Sequence, residues 1–384
     1  MQSNFNMKPL FICLFSLLAV DVAAQTAGYF QQEVNYTIEV TLNDKEHSLS
    51  GNETFEYKNN STQSLDKLFI HLWPNAYKNA KTAMSKQKFR QGDFFMLWAK
   101  PTAKGYIDKL DFTVDGTKAR WEFFEEQEDI AVLYLEKPLQ PGGSITVATP
   151  FFVKLPSGSI SRLGHIEESY QITQWYPKPA VFDNAGWHPM SYLTQGEFYS
   201  EFGSFDVKIT LPDNYTVGAT GDLQTSAEIE RLNRLSTEEG PTSMDFPASS
   251  ATMKTLHYKQ KNVHDFGWFA DKRWIVRKGE MELPQSKRKV TTWAMFTPKN
   301  RGMWEEEGLK SIRDGLYYYS LWSGDYPYDV CTAVDGTISA GGGMEYPNVT
   351  VIGNSGDASQ LRTVIIHEVG HNWFYGILGS NERD

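Results

Sequence analysis

Thr363-Val364-Ile365-Ile366-His367-Glu368-Val369-Gly370-His371-Asn372-Trp373-Phe374 is the stretch against which the rest of the chain is read. Leu361, Val364, Ile365 and Val369 recur at helical spacing. They predict a helix from near Asp357 or Ala358 to near Gly379, where glycine is favoured just past a C-terminus. On a helix, positions i and i+4 share a face, so His367 and His371 can reach a single zinc ion. Glu368 follows the first histidine directly, where it can take a proton from a metal-bound water. The plain alternative, two histidines packed in a core, would bury two imidazoles and a carboxylate that all need polar partners.

The chain has 384 residues, 40% of them hydrophobic and 14% aromatic, enough for more than one packed unit. Its net charge of −10 and its lack of a dense basic tract disfavour nucleic acid as the main partner. Lys287-Arg288-Lys289 is the densest basic run and reads as a solvated turn. At the N-terminus Lys8 precedes an apolar run, Leu10 to Val20, and Val22-Ala23-Ala24 stands before Gln25. That pattern predicts a signal peptide over 1–24 and a secreted or periplasmic protein. The run is shorter than the about twenty residues that span a bilayer, and no later stretch predicts a membrane span. With Cys13 inside the signal, Cys331 alone remains, so no internal disulfide is expected.

From residue 25 to 280 the period is mostly two, which predicts an antiparallel all-β domain. Tyr36, Ile38, Val40 and Leu42 alternate with polar residues, as do Leu68, Ile70 and Leu72. Residues 131–135, 145–147 and 205–211 continue the series. Turn signals fall at Ser50-Gly51-Asn52, Pro141-Gly142-Gly143 and Pro212-Asp213-Asn214. The polar stretch 225–250 reads as a surface excursion between strands. The loop 170–179, rich in aromatics and proline, reads either as a pocket wall or as a buried packing loop, and His188 as a structural histidine. Residues 281–384 change character. Strands over 290–296, 329–335 and 346–352 and a helix over 302–322 precede the motif helix, which makes an α/β unit.

A second constellation precedes the motif: Ala340-Gly341-Gly342-Gly343-Met344-Glu345-Tyr346-Pro347. Glycines let a substrate backbone approach closely, and an exposed strand edge can pair with an extended peptide. A carboxylate beside that edge can hold an amino group. Among zinc classes, metzincins need Gly and His where this chain has Phe374 and Ile377, so that class is excluded. Glu382 stands just past the expected helix end, with no room for a second helix to turn it back. The third zinc ligand is therefore expected outside this sequence.

With both stretches in view, the chain resembles the gluzincin zinc aminopeptidases, the family of aminopeptidase N and leukotriene hydrolase. Gly342-Gly343-Met344-Glu345 is similar to that family's exopeptidase signature, and His367-Glu368-x-x-His371 to its zinc signature. Asn372-Trp373-Phe374, 379–382, 262–268 and Gly196-Glu197-Phe198-Tyr199 are also similar to members. The resemblance implies an antiparallel, saddle-like β sandwich followed by the incomplete start of a thermolysin-like α/β zinc-peptidase domain. It implies one Zn2+ held by His367 and His371, with Glu368 as general base. It further implies Glu345 on the free α-amino group of a peptide substrate, and Gly342, Gly343 and Met344 along the peptide. Gln174 would stand near the pocket for the first residue. Tyr346 departs from the family pattern, which has Asn there. In the family the third ligand, a glutamate, follows the second histidine after roughly eighteen intervening residues. The sequence stops about thirteen residues after His371. The expectation is the N-terminal part of a longer aminopeptidase, binding zinc weakly and hydrolysing little by itself.

Two other readings predict different features. A non-catalytic interaction scaffold of the same fold predicts loss of the ligands or base, yet His367, Glu368 and His371 are intact. A zinc endopeptidase predicts no need for a free N-terminus, and Glu345 in its glycine-rich setting argues against it. A serine elbow at Gly353-Asn354-Ser355-Gly356 fails because Asp357 stands where glycine is needed.

Overall fold

The computed structural model describes residues 28–196, 199–336, 342–381 and 383. The expected signal over 1–24, together with Glu197, Phe198, Ala340, Gly341 and Glu382, lies outside them.

The chain is mostly β-sheet. Val34, Tyr36, Ile38, Val40 and Leu42 all point into the core from the strand Glu33–Asn43, and the residues between them face outward. That strand forms a hairpin with Ser48–Lys58, which in turn pairs antiparallel with Ser144–Lys154. These three lie at the middle of a nine-stranded sheet. Two four-stranded sheets, one containing Leu65–His71 and Gln127–Leu139, the other Ser169–Ile172 and Trp268–Asp271, complete the β framework.

Four expectations about the sheets and their connections need correction. The large sheet is not wholly antiparallel, because Gly203–Pro212 pairs parallel with Glu33–Asn43, Tyr36 opposite Phe205. A tight hairpin forces antiparallel pairing, but a return after a long crossover leaves either direction open. Ser50-Gly51-Asn52 is no turn: Gly51 lies inside a strand, where a Cβ would stand 2.5 Å from the Phe151 ring and 2.7 Å from the Glu39 carbonyl. The chain reverses at residues 44–47 instead. Helices also interrupt the strands, Ala83–Arg90 starting at a Thr82 cap and Ser226–Leu235 within the expected surface excursion. The second buries Leu232 together with Glu228, which takes Lys254 and Arg231 as partners at 2.9 Å each.

The fourth correction concerns the region that positions the site. A five-stranded sheet runs in the order Ile275–Glu282, Lys289–Phe296, Val330–Asp335, Val349–Ile352 and Gly343–Tyr346. Its first strand crosses the division expected at 280/281. The two inner joints are parallel, and the helix Arg301–Ser323 provides the crossover for the first of them. Where a single strand over 346–352 is expected, the chain makes a hairpin. Pro347 ends the first strand, and Asn348 adopts a left-handed φ of 51°. The Asn348 side chain is buried and bonded at both ends, accepting from the Gly221 amide at 2.7 Å and donating to Gln260 at 2.8 Å. Gly343–Tyr346 is thereby left as the outer strand of the sheet.

The motif helix, Ala358–Gly370, starts where Asp357 accepts from the Gln360 amide at 2.8 Å. It packs on Arg301–Ser323 through small residues: a Cβ on Gly315 would lie 3.1 Å from Val369, and one on Gly370 would lie 2.5 Å from the Tyr319 ring. The helix ends at Gly370, well short of Gly379. Asn372 explains the early stop. Its side chain donates to the Val369 carbonyl at 3.0 Å and accepts from the Asn348 amide at 3.0 Å. Such side-chain bonds to the backbone compete with helical continuation. No helix among the described residues is long and apolar enough to cross a membrane.

One buried carboxyl makes this fold sensitive to pH. Glu201 accepts from the Phe182 amide at 3.0 Å, and burial pushes its pKa up from 4.5 to about 8. The folded state then holds a proton that the unfolded chain has already released. The stabilisation is complete below the unfolded value and is lost as pH rises through the folded one. Thermal melts from pH 4.5 to 8.5 should show the parent losing stability relative to Glu201→Gln, with the gap widening as pH rises. A constant gap would show that Glu201 does not carry this pH dependence.

Candidate metal centre

The motif histidines meet as helical geometry requires. His367 lies in the last turn and His371 caps the helix with right-handed backbone angles, so both rings leave on the same side. Their Nε2 atoms are 3.2 Å apart and the rings stand nearly perpendicular, at 87°. Two nitrogens bound tetrahedrally at about 2.0–2.1 Å would be about 3.4 Å apart, so the pair fits a common zinc ion. On the far side of the His371 ring, Nδ1 lies 3.2 Å from the Phe374 carbonyl. A carbonyl only accepts, so Nδ1 carries the proton and Nε2 keeps the lone pair a metal needs. His367 has its pKa lowered, first by desolvation and then by the facing His371. That too favours the neutral imidazole.

The outer strand brings the second constellation to the same place. Side chains alternate across a strand, so Gly343 and Glu345 face the motif helix while Met344 and Tyr346 face away. Glu345 Oε1 lies 3.7 Å from His371 Nδ1, on the ring edge opposite the nitrogen that faces His367. Gly343 touches Glu368: a Cβ there would stand 2.6 Å from the Glu368 carboxylate oxygen. Glu345, Glu368 and His371 each place one ligand atom within 4.8 Å of the others. His367 lies outside that trio and joins the site through His371. Gly342 sits behind, where a Cβ would be 3.2 Å from Val364.

Gln174 is buried with the rest of its loop, in which Trp175 and Tyr176 are also fully enclosed. It donates to Asp265 at 3.2 Å and accepts from the Tyr346 hydroxyl at 3.4 Å. Tyr176 and Lys178 close on the same Asp265, at 2.7 and 3.2 Å. Burial alone would raise the Asp265 pKa, but Lys178, Tyr176 and the Phe266 amide outweigh it and hold the carboxyl ionised. The structure therefore places Gln174 behind Tyr346. Tyr346 stands where the resemblance expects Asn, and its ring packs on Phe269, 5.8 Å between centroids, and over Gly267. His188 is 2.9 Å from Asp183, as a structural histidine would be.

Three participants carry no assigned role at the level of sequence. His264 is buried against Tyr375, 4.5 Å between rings, and both line a small pocket of about 10 Å³ with Glu345 and His371. Burial pushes the His264 pKa down to about 4, opposed by the neighbouring Asp265 carboxylate and aided less by Lys178. Asn372 belongs to the same pocket and ties it to the hairpin. The third is the Phe374 carbonyl. Their neighbourhood in sequence is visible, but a backbone acceptor leaves no mark on residue type.

No family model matches the chain. No curated protein matches it either. Among solved structures it is similar to the M1 zinc metallopeptidase from Deinococcus radiodurans, with a TM-score of 0.55 and 15% identity over 90% of this chain and 64% of that one. A mutant of that enzyme gives a TM-score of 0.54 at 15% identity, with 90% and 65% covered. A further structure of the mutant, bound to a Tyr-Ser-Ala substrate, has the same TM-score, identity and coverage. The chain thus shares the fold of M1 zinc metallopeptidases and spans about 65% of their length.

The contact between Gly343 and Glu368 makes a separable prediction. Gly343→Val should displace the Glu368 carboxylate while leaving both histidines in place. Zinc content by elemental analysis should then be kept, whereas His367→Ala and His371→Ala should each abolish it. Equal zinc content in all four proteins would remove the histidines from the metal site.

Proposed function

We propose that this protein is a zinc aminopeptidase that hydrolyses the N-terminal peptide bond of peptides. The observation that carries the reading is the convergence of four groups from two elements. His367, Glu368 and His371 come from the motif helix, and Glu345 comes from the outer strand beside it. His367 and His371 would hold the ion. A bound zinc would polarise the scissile carbonyl and acidify the attacking water.

The chain's own residues account for the remaining work. A peptide extended along Gly343–Tyr346, the outermost of the described strands of its sheet, would pair with it through backbone hydrogen bonds. Gly343 brings that backbone close to Glu368, which takes the proton of the water and passes it to the departing amine. Glu345 binds the α-ammonium group. The pocket at Glu345, about 10 Å³, has room for one water-sized group, and an ammonium is of that size. A longer peptide cannot extend past it, which restricts cleavage to the first bond. The β unit would end before Ile275, where the five-stranded sheet begins, with a thermolysin-like unit after it. This reading also includes export from the cytoplasm, based on the signal pattern at 1–24.

In a form of the enzyme that also carries the third zinc ligand, replacing Glu345 with Ala should lower kcat/KM for free-amine aminoacyl substrates by about a hundredfold, in the range of a lost charged anchor. The same change should leave cleavage of N-acetylated peptides at its basal level. Zinc content serves as the control for folding. If free-amine and blocked substrates lose activity equally, Glu345 is not the amine anchor and the endopeptidase reading gains.

A further inference from the structure

Residues 78–109 hold eight Lys and Arg against only Asp93 and Asp108, in a chain whose net charge is −10. The helix Ala83–Arg90 leads through a turn into the short helix Phe95–Trp98. Met96 is wholly buried in the main core, and the rings of Phe89 and Phe94 stack at 5.7 Å. The segment is therefore pinned from inside. Its other apolar residues face outward: Trp98 is 83% exposed, Phe94 51%, Leu97 47% and Phe95 44%. A single exposed apolar side chain is ordinary, but four within five residues on a fixed turn form a patch.

The charges around the patch have a sign and a place. Lys88 pairs with Asp93 and Lys78 with Glu128. Arg90 and Lys100 stand exposed on either side of the apolar residues. The hollow beside the helix, where Lys86 and Arg90 share a wall with Glu125 and Glu126, is mixed in sign, and none of residues 94–100 lines it. Trp98 projects instead of lining a groove. A fluid interface accepts projecting Trp, Phe and Leu without shape complementarity, which a protein partner would need. The acidic remainder of the chain would be repelled by an anionic surface, so the basic segment would set the orientation.

We propose that Phe94, Phe95, Leu97 and Trp98 insert into the headgroup region of an anionic lipid surface, with Arg90 and Lys100 against the lipid phosphates. The test is vesicle flotation of the whole protein, comparing phosphatidylcholine alone with vesicles carrying about a third phosphatidylglycerol. Binding is expected to the anionic vesicles only and to fall at high salt. Phe95→Ser/Leu97→Ser/Trp98→Ser should weaken it at least about tenfold, and Arg90→Glu/Lys100→Glu similarly. Brominated lipid should quench fluorescence of the parent but not of Trp98→Phe, which reports insertion without relying on the triple variant's fold. Absence of binding to anionic vesicles, or undiminished binding by the triple variant, overturns the proposal. So does dimerisation in solution that the triple variant removes, because the patch would then be an interface between copies.

Discussion

The site depends on one close approach, that of the outer strand to the motif helix at Gly343 and Glu368. A strand alternates its side chains with period two and a helix repeats with period 3.6, so few positions can face each other across such a contact. Gly343 takes the position nearest the helix and has no Cβ; one placed there would lie 2.6 Å from the Glu368 carboxylate. Two residues on, the same face delivers Glu345 to His371. A larger residue at 343 would push the Glu368 carboxylate aside.

The contact is maintained by ties beyond it. Asn372 bonds to both the helix end and the hairpin turn, and Asn348 carries that turn to Gly221 and Gln260 in the β framework. Trp373 donates to the Gly324 carbonyl at 2.8 Å and stacks on Tyr319, fixing the motif helix against Arg301–Ser323. Behind the outer strand, Tyr346 meets Gln174 and the buried cluster of Asp265, Tyr176 and Lys178. Breaking a buried ion pair by removing one partner costs about 3–5 kcal/mol, so this cluster makes the strand's outer position hard to shift. The β framework thus reaches the site through polar groups, and the two helices reach it through small residues and aromatics.

His371 shows how the same side chain serves structure and chemistry. One ring nitrogen is committed to the Phe374 carbonyl, which sets the tautomer, and the other faces His367. The early end of the motif helix makes this possible. Had the helix continued to Gly379, the Phe374 carbonyl would point along the helix axis into its own hydrogen-bond ladder. By stopping at Gly370, the chain frees that carbonyl to orient the imidazole.

The sequence by itself determined what local periodicity and residue chemistry can encode. Alternation through Tyr36, Ile38, Val40 and Leu42 marks a half-buried strand, and the spacing of His367 and His371 marks one helix face. The glycines before Glu345 mark a place of close approach without naming what approaches. Tertiary structure alone decided that Gly343 meets Glu368, that Gly51 lies inside a strand, that the motif helix ends early, and that the distant Glu33–Asn43 and Gly203–Pro212 pair in parallel. Each of these depends on groups brought together by the folded chain, several of them backbone carbonyls or amides. Such groups are the same at every position, so no residue type announces them.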